Sequence, residues 1–400
     1  MSSYVDAVLS IFPKSGGLPV ERKKLFAFTV AILALLLLVG VASGLYSLYV
    51  GHEHVFGTSR EVPWGILVAT YVFFVITSTG LCIVSSLGHV FGFENFAPIA
   101  KRAVFLSIAT ILSGFLIIAL EIENTWRIPI ANVIGFNLTS NIGWVSALYG
   151  LYLLFMIVDF IMLQLNKPKL AAACGLAGLL ATIAGQANEG AVFGLLSGRG
   201  FWHGPYTPIY FIVSAVMSGC VTLFFFTYLA YRFNGWTIGD KLQSSLRSLA
   251  KIAALMMAVV LFFVTWKTLA GITGEVPGEY ESMAYLLHGP YTVNFWIGEI
   301  TLGLVLPFLL ILAVKAENLR AIFIASIASI IGICFMRYDL VIVGQLVPPF
   351  AGMGLVDYPE MLSYRPTCLE WLTTMGAFAF CGLLFFLGEK YFRGHMSVGH

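Results

Sequence analysis

Apolar residues in this chain gather into long unbroken runs separated by short polar stretches. The runs cover residues 25–48, 64–91, 102–122, 144–165, 170–197, 207–233, 250–272, 291–314, 321–345 and 367–391. About twenty apolar residues in helical geometry span the hydrocarbon core of a bilayer. The runs are continuous and do not alternate, which predicts helices and not the strands of a barrel. The expected fold is therefore an all-α polytopic membrane protein with about ten transmembrane helices.

The basic residues test that count independently, because loops facing the cytoplasm carry an excess of Lys and Arg. With ten spans, one side holds Lys14, Arg22, Lys23, Lys24, Lys101, Arg102, Lys167, Lys169, Arg232, Lys241, Arg247, Lys251, Lys315, Arg320, Lys390 and Arg393, which is 16 of the 22 basic residues. The other side holds Arg60, Arg127, Arg199, Lys267, Arg337 and Arg365. The expected orientation places both termini in the cytoplasm and the chain in the cytoplasmic membrane. The N-terminal stretch has Pro13, Gly16, Gly17 and Pro19 before Arg22-Lys23-Lys24, and its apolar run is longer than the core of a signal peptide. It reads as a retained first span. The outer loops 123–143, 273–290 and 346–366 carry tryptophan, proline, glycine and acidic residues, a composition suited to a platform for an outside partner.

Composition agrees: 59% of residues are hydrophobic and 10% charged, against roughly 25% charged in soluble domains. A net charge of +2 with scattered basic residues gives no nucleic-acid surface. The six cysteines, Cys82, Cys174, Cys220, Cys334, Cys368 and Cys381, sit singly within apolar runs or at their edges, and none forms a CxxC. Zinc, iron–sulfur and disulfide frameworks are not expected from that spacing. The histidines His52, His54, His89, His203, His288, His395 and His400 all lie in loops or near span ends, with no pair at the depth that axial haem ligation needs. The chain is expected to carry no haem, iron–sulfur cluster or metal of its own, so a redox role requires electrons delivered by a partner.

Spans two to five and six to nine read as two four-helix bundles related by a parallel repeat, with the first and last helices flanking them. Ser78-Thr79-Gly80 matches Met217-Ser218-Gly219, and Ala187-Asn188-Glu189-Gly190 matches Arg337-Tyr338-Asp339-Leu340. The units expected are 1–63 with the first span, 64–200, 201–345, and 346–400 with an outer loop, the last span and a tail.

Ionisable residues inside a bilayer are costly and mark function unless they pair structurally. They are Glu121, Asp159, Glu189, Lys267, Glu299, Arg337 and Asp339, with Gln186 and Asn188 beside Glu189. Glu121, Asp159 and Lys267 lie near span ends, where a side chain can snorkel to water. Asn188, Glu189, Lys267, Glu299, Arg337 and Asp339 are the candidates for a proton route. The structural alternative is an ion pair of Arg337 with Asp339 or Glu299.

Three stretches carry a family resemblance. They are Pro63-Trp64-Gly65 followed by Tyr71-Val72-Phe73-Phe74; Lys101-Arg102 leading to Glu121-Ile122-Glu123 and Trp126-Arg127; and Ser197-Gly198-Arg199-Gly200-Phe201-Trp202-His203 with Ser218-Gly219 beyond it. In order and spacing they resemble the NrfD/PsrC family of membrane subunits of polysulfide, nitrite and related reductases. Tyr364-Arg365-Pro366-Thr367 with Glu370-Trp371 is similar to the start of the final span in its ten-span members, among them the membrane subunit of the Dsr (Hme) complex of sulfate reducers. The acidic-Leu-Gly-Arg-Pro run of many members is here Glu121 to Arg127, with acid and arginine kept but not glycine and proline. The resemblance implies a membrane subunit that binds menaquinone or menaquinol near the outer face. It also implies an outer-face ferredoxin-like iron–sulfur partner, with further haem and iron–sulfur subunits in the complex. Its headgroup candidates are Trp64, Glu121, Trp126, Arg127, Arg199, Trp202 and His203, all at outer span ends. A secondary transporter of protons or a small solute, and a purely structural anchor, remain the rival readings.

Overall fold

The computed structural model describes residues 20–128, 130, 134–348 and 361–392. Lys14, Arg393 and most of the 346–366 loop lie outside them. The described residues are helical, without strands, and ten helices are long and apolar enough to cross a membrane. They are α1 (Val20–Val50), α2 (Ile66–His89), α3 (Ala97–Glu121), α4 (Asn141–Gln164) and α5 (Pro168–Gly194). Then come α6 (Tyr206–Asn234), α7 (Asp240–Thr273), α8 (Asn294–Ala313), α9 (Leu319–Leu346) and α10 (Cys368–Phe392). Successive helices run in opposite directions, so Lys101, Lys167 and Arg320 share one end of the bundle, called the basic end here. Trp64, Glu121 and Trp202 share the far end.

Local chemistry sets several helix ends. Pro98 and Pro168 begin α3 and α5 where a missing N–H costs nothing. The Ser140 hydroxyl accepts from Gly143 N at 3.2 Å to cap α4, and Asn318 caps α9 by accepting from Arg320 N and Ala321 N. Gly235, at φ 67°, ends α6 in the left-handed conformation that glycine adopts without strain. Helix α7 starts about three turns earlier than its apolar run suggests. Leu242, Leu246, Leu249 and Ala253 form a buried stripe that continues past Lys241, Arg247 and Lys251. Helix α3 likewise starts ahead of its run and takes in Lys101. Arg102 is buried and gives a forked pair of hydrogen bonds to Glu389 of α10, at 2.6 and 3.1 Å.

The helix neighbours follow one scheme twice. In the first set α2 packs on α3 and α5, and α4 on α5 and α3. In the second set α6 packs on α7 and α9, and α8 on α9 and α7. The sets meet through α2 and α6, flanked by α5 on α6 and α9 on α2. Helix α10 lies against α1 and α3. The most apolar window of α2 is 89% buried and that of α1 is 6% buried, so α2 is central and α1 presents Phe28, Leu35 and Leu38 to lipid.

Glycines permit the closest approaches. Gly80 and Gly219, the two glycines of the internal match, face each other backbone to backbone. A Cβ on Gly80 would run into the carbonyl of Ala215, and one on Gly219 into the Gly80 main chain. Gly303 and Gly332 do the same between α8 and α9. Small residues at such crossings bring membrane helices into contact. Helix α8 is widened into a π stretch over Asn294–Val305 just before Pro307. Proline removes a donor and its ring crowds the carbonyl four residues back, which is that of Gly303. That carbonyl instead accepts from the Ser329 hydroxyl of α9 at 3.1 Å.

Gly80→Val should therefore destabilise the α2–α6 crossing by about 1–3 kcal/mol, the usual cost of overpacking. Gly150→Ala, where an added Cβ meets nothing within 4 Å, should be neutral. Thermal unfolding of the two variants in detergent checks this, and equal midpoints would contradict the packing described.

Candidate functional site

In the far half of the bundle the buried polar groups fall into three regions. The first is the seam between the two sets at the far end. Here the sequence 198–205, between α5 and α6, folds inward and buries Trp202. Its indole Nε1 donates to the Leu340 carbonyl at 2.7 Å, and Gly344 leaves room for the ring. Trp64, Phe193 and Trp202 stack edge to face or tilted, with centroids 5.1–5.3 Å apart. Gln345 of α9 locks Trp64 from below: its Oε1 accepts from Trp64 N at 3.0 Å and its Nε2 donates to Trp64 O at 2.9 Å. Arg199 donates to the carbonyls of Gln345, Val347 and Glu61 at 2.7, 2.9 and 3.0 Å. Three headgroup candidates, Trp64, Arg199 and Trp202, thus come together, with Trp64 half-buried. His203 beside them is exposed.

Trp126 and Arg127 stand apart from that seam. Trp126 is 64% exposed and Arg127 lies over its ring at 4.9 Å. Glu121 belongs to a second far-end region, which includes Glu370 at the start of α10. Glu370 is fully buried there and accepts from Tyr364 Oη at 2.5 Å, Thr367 N at 2.8 Å and Gly57 N at 2.9 Å. Tyr364 Oη in turn accepts from Ile66 N at 2.8 Å. Glu121 lies within electrostatic reach of Glu370, and its Oε2 is buried with no hydrogen-bond partner. His52 stacks on Phe56 at 4.4 Å. Burial lowers its imidazole below its ordinary value, opposed by Glu123, the Leu120 carbonyl and Glu370.

The third region crosses the middle of the bundle in its far half. Arg337 is fully buried; its Nη2 donates to Ser214 Oγ at 2.8 Å, while Nε and Nη1 have no hydrogen-bond partner. The guanidinium faces the rings of Tyr210 and Phe211 at 5.7 and 5.9 Å. The ion pair of Arg337 with Asp339 or Glu299 is not formed. Two residues on from Arg337, Asp339 points elsewhere on α9 and accepts from Asn294 Nδ2 at 3.3 Å. Glu299 and Glu189 are within electrostatic reach of Arg337, with no ion pair formed. Glu189, of the first set, accepts from Tyr149 Oη at 2.5 Å. Asn188 instead donates to the Asn141 carbonyl at 2.7 Å, tying α5 to the start of α4.

Lys267 does not snorkel: its Nζ donates to the Phe201 carbonyl at 2.7 Å and lies over the Phe201 and Tyr206 rings at 3.8 and 4.9 Å. With Glu299, Asp339, Tyr206 and Tyr210 it lines a chamber of about 40 Å³. That holds water but not a ring-sized ligand, which needs about 300 Å³ or more. Asp159 does not snorkel either. It is fully buried near the basic end and accepts from or shares a proton with His89 Nε2 at 2.9 Å.

Gln345, Ser214, His89, Tyr149, Tyr364 and Glu370 are the residues that sequence reasoning missed. One of them left a signal: a buried Asp159 requires a partner, and His89 is at the same depth on another span. Among the described residues no three His, Cys, Asp or Glu side chains are grouped to hold a metal ion.

Comparison with known proteins gives a consistent result. The family described as "Polysulphide reductase, NrfD" matches residues 54–349. The chain is similar to the "Hdr-like menaquinol oxidoreductase integral membrane subunit" of Archaeoglobus fulgidus, at 29% identity over 93% of this chain and 96% of that one. It is also similar to a selenate reductase subunit of Mesobacillus selenatarsenatis, at 26% identity over 91% and 92% of the two chains. "Protein NrfD" of Escherichia coli is 22% identical over 72% of this chain and 96% of its own.

Gln345→Leu leaves the Trp64 N–H and carbonyl without their partners, and should cost about 1–3 kcal/mol. Its check is the thermal midpoint together with the tryptophan emission of the seam; an unchanged spectrum and midpoint would contradict the lock. The lowered pKa of His52 means that the folded state favours its neutral form. Its contribution is complete above the unfolded value of 6.5 and is lost as pH falls through the lower folded value. His52→Gln should flatten the acid side of the stability–pH profile, and an unaltered profile would contradict that.

Proposed function

We propose that this chain, which belongs to the polysulphide reductase NrfD family, is the quinone-reactive membrane subunit of a respiratory electron-transfer complex. It binds menaquinone or menaquinol near its far end and exchanges electrons with an iron–sulfur subunit seated on that face. The full-length likeness to a chain named as a menaquinol oxidoreductase membrane subunit carries this reading. In the proposed orientation the basic end and both termini face the cytoplasm, in the cytoplasmic membrane, and the far end faces outward.

The far-end seam supports a place for the headgroup. A quinone needs aromatic faces, an apolar approach and a polar group at each carbonyl that exchanges protons. Trp64 offers a half-buried ring held rigidly by Gln345, Phe193 and Trp202. His203 is exposed beside it, and Arg199 fixes the loop that carries both Trp202 and His203. Glu121, with its free buried oxygen, serves as a proton acceptor on the α3 side. The chain's residues hold the ring, exclude water and take up or supply protons; the partner supplies the electron path. The unit 64–200 contributes Trp64 and Phe193, and the seam reaches into 201–345 through Trp202 and Gln345.

Trp126, Arg127 and the short helix Glu279–His288 form, in this reading, the outer platform on which a ferredoxin-like iron–sulfur subunit docks, with further haem and iron–sulfur subunits beyond it. Glu189, Lys267, Glu299, Arg337 and Asp339 form a proton route through the middle of the bundle, and the small chamber supplies room for water along it. Asn188 braces that route by fixing α5 on α4. The widened α8, with Glu299 inside the π stretch, is the one observation that favours a secondary transporter, since broken helices line transport sites.

Purification of the chain from its native membrane in mild detergent, followed by menaquinol and a visible spectrum, tests the proposal. Reduction of iron–sulfur or haem bands in co-purified partners is expected. A single polypeptide with no chromophore and no response, together with proton or solute flux in liposomes without an electron donor, would replace this reading by the transporter.

A further inference from the structure

The gap between α9 and α10 is a part of the molecule that the quinone reading does not use. The two helices do not pack closely on each other, and α2 and α6 lie behind them as a floor. At mid-height the gap holds a cavity of about 200 Å³, whose wall includes Phe74, Phe226, Ile330 and Gly382. Ile327, Ile331 and Phe378 also line it and are 37%, 45% and 36% exposed, so its mouth opens sideways between α9 and α10. Two of its threonines return their hydroxyls to their own helices: Thr77 donates to the Phe73 carbonyl at 2.7 Å and Thr110 to the Leu106 carbonyl at 2.8 Å. Most of the remaining wall is aliphatic or aromatic. An apolar cavity of about 150 Å³ stays dry yet accepts a benzene-sized guest, and an unfilled one forfeits the packing contacts of its lining. The last several carbons of a hydrocarbon chain fit this one.

From the cavity a paved groove runs along α6 to the basic end. Phe225 stacks on Phe323 of α9 at 5.4 Å, and its neighbour Phe226 meets Phe385 of α10 at 4.6 Å, so a row of rings crosses from α9 to α10. A second row, Phe233 with Phe386 at 4.9 Å and Phe26 of α1 beyond it, lies nearer the basic end. Phe225, Phe226, Phe323, Phe233 and Phe386 are half-buried, which leaves one side of each row to lipid. Phe225, Leu229 and Arg232 are successive turns of one face of α6, as Ile327, Phe323 and Arg320 are of α9. Each face thus ends on an exposed arginine, in the last turn of α6 and the first turn of α9. The Arg22 guanidinium of α1 lies against Gly235, at the end of α6. Glu317 and Asp240 are exposed at the same end, yet none of the three arginines has an ion pair among the described residues. From Thr222 at the cavity to Arg232 the helix rises about 15 Å, half of a hydrocarbon core of about 30 Å.

We infer that this groove seats an anionic phospholipid, with its phosphate on Arg232 and Arg320 and the end of one acyl chain in the mid-membrane cavity. Length, wall chemistry and charge all fit that occupant. A guanidinium forks onto phosphate oxygens, and cations clustered at a membrane surface hold anionic headgroups. The groove is one leaflet long, so a chain anchored at the arginines ends where the cavity is. Toward the far end Phe378 closes on Phe73 and Phe74 at 5.4 and 5.0 Å, which separates the cavity from the seam at Trp64 and from a quinone tail entering there. The bound chain fills the space that α9 and α10 leave between them and so joins the last helix to the second four-helix set. The inference is independent of the quinone reading.

The test uses the protein purified from its native membrane and placed in liposomes that contain phosphatidylglycerol with a diazirine at the end of one acyl chain. Photolysis and peptide mapping are expected to label residues 327–331 and 378–382, with unlabelled phosphatidylglycerol competing at a lower concentration than phosphatidylcholine. Arg232→Gln and Arg320→Gln, both at exposed positions, are each expected to raise the competing concentration of phosphatidylglycerol about fivefold. Labelling confined to other peptides overturns the inference. Equal competition by the two lipids, or competition unchanged in both variants, also overturns it and leaves only unselective boundary lipid. Suppression of the label by menaquinol and not by phosphatidylglycerol overturns it in favour of a quinone tail.

Discussion

A guanidinium buried in the middle of an apolar bundle is the constraint around which the molecule is arranged. An isolated charge in hydrocarbon costs several kcal/mol or more, and Arg337 has lost all contact with solvent. One hydrogen bond to Ser214, two aromatic faces and two acids at a distance are what it receives in return. Its direct contacts come from α6, while the charges of Glu299 and Glu189 reach it from α8 and α5, so the arginine of α9 draws on both four-helix sets. The same group brings Glu189 of the first set and Glu299 of the second within electrostatic reach of one positive charge. Structure and proposed proton handling therefore depend on a single side chain.

Close assembly around that charge needs helices that touch along their backbones. Gly80 against Gly219 brings α2 and α6 together, and Gly303 against Gly332 does so for α8 and α9. Pro307 then has a local consequence that spreads. It frees the Gly303 carbonyl, Ser329 takes it, and the preceding stretch that carries Glu299 relaxes into a wider helix. At the far end a different device is used. Arg199 and Gln345 commit their polar groups to main-chain atoms, fixing the loop and the α2 start that carry Trp202 and Trp64.

The spans are legible in the sequence because hydropathy alone places a segment in lipid, and all ten are present. Their ends are less so: α7 extends past Arg247 because its buried stripe, and not its mean polarity, decides where the helix stops. The glycine match between spans two and six is visible as a weak repeat, and the structure shows those glycines in contact. Partners are the least legible. Asp159 has the look of a snorkelling acid because its histidine is 70 residues away in sequence. Arg337 has the look of one half of an ion pair with Asp339, yet two residues apart on a helix point in different directions. Gln345 gives no warning, being a single amide near the end of an apolar run. Trp126, Arg127 and Glu121 share only their depth with Trp64, and the fold separates them sideways.

A photoreactive menaquinone analogue, activated on the assembled complex and mapped by peptide sequencing, tests the central claim most directly. The account predicts labelling of far-end peptides that contain Trp64, Phe193 or Trp202, suppressed by excess menaquinol. Labelling confined to the basic end of the bundle, or labelling that menaquinol does not suppress, would contradict it.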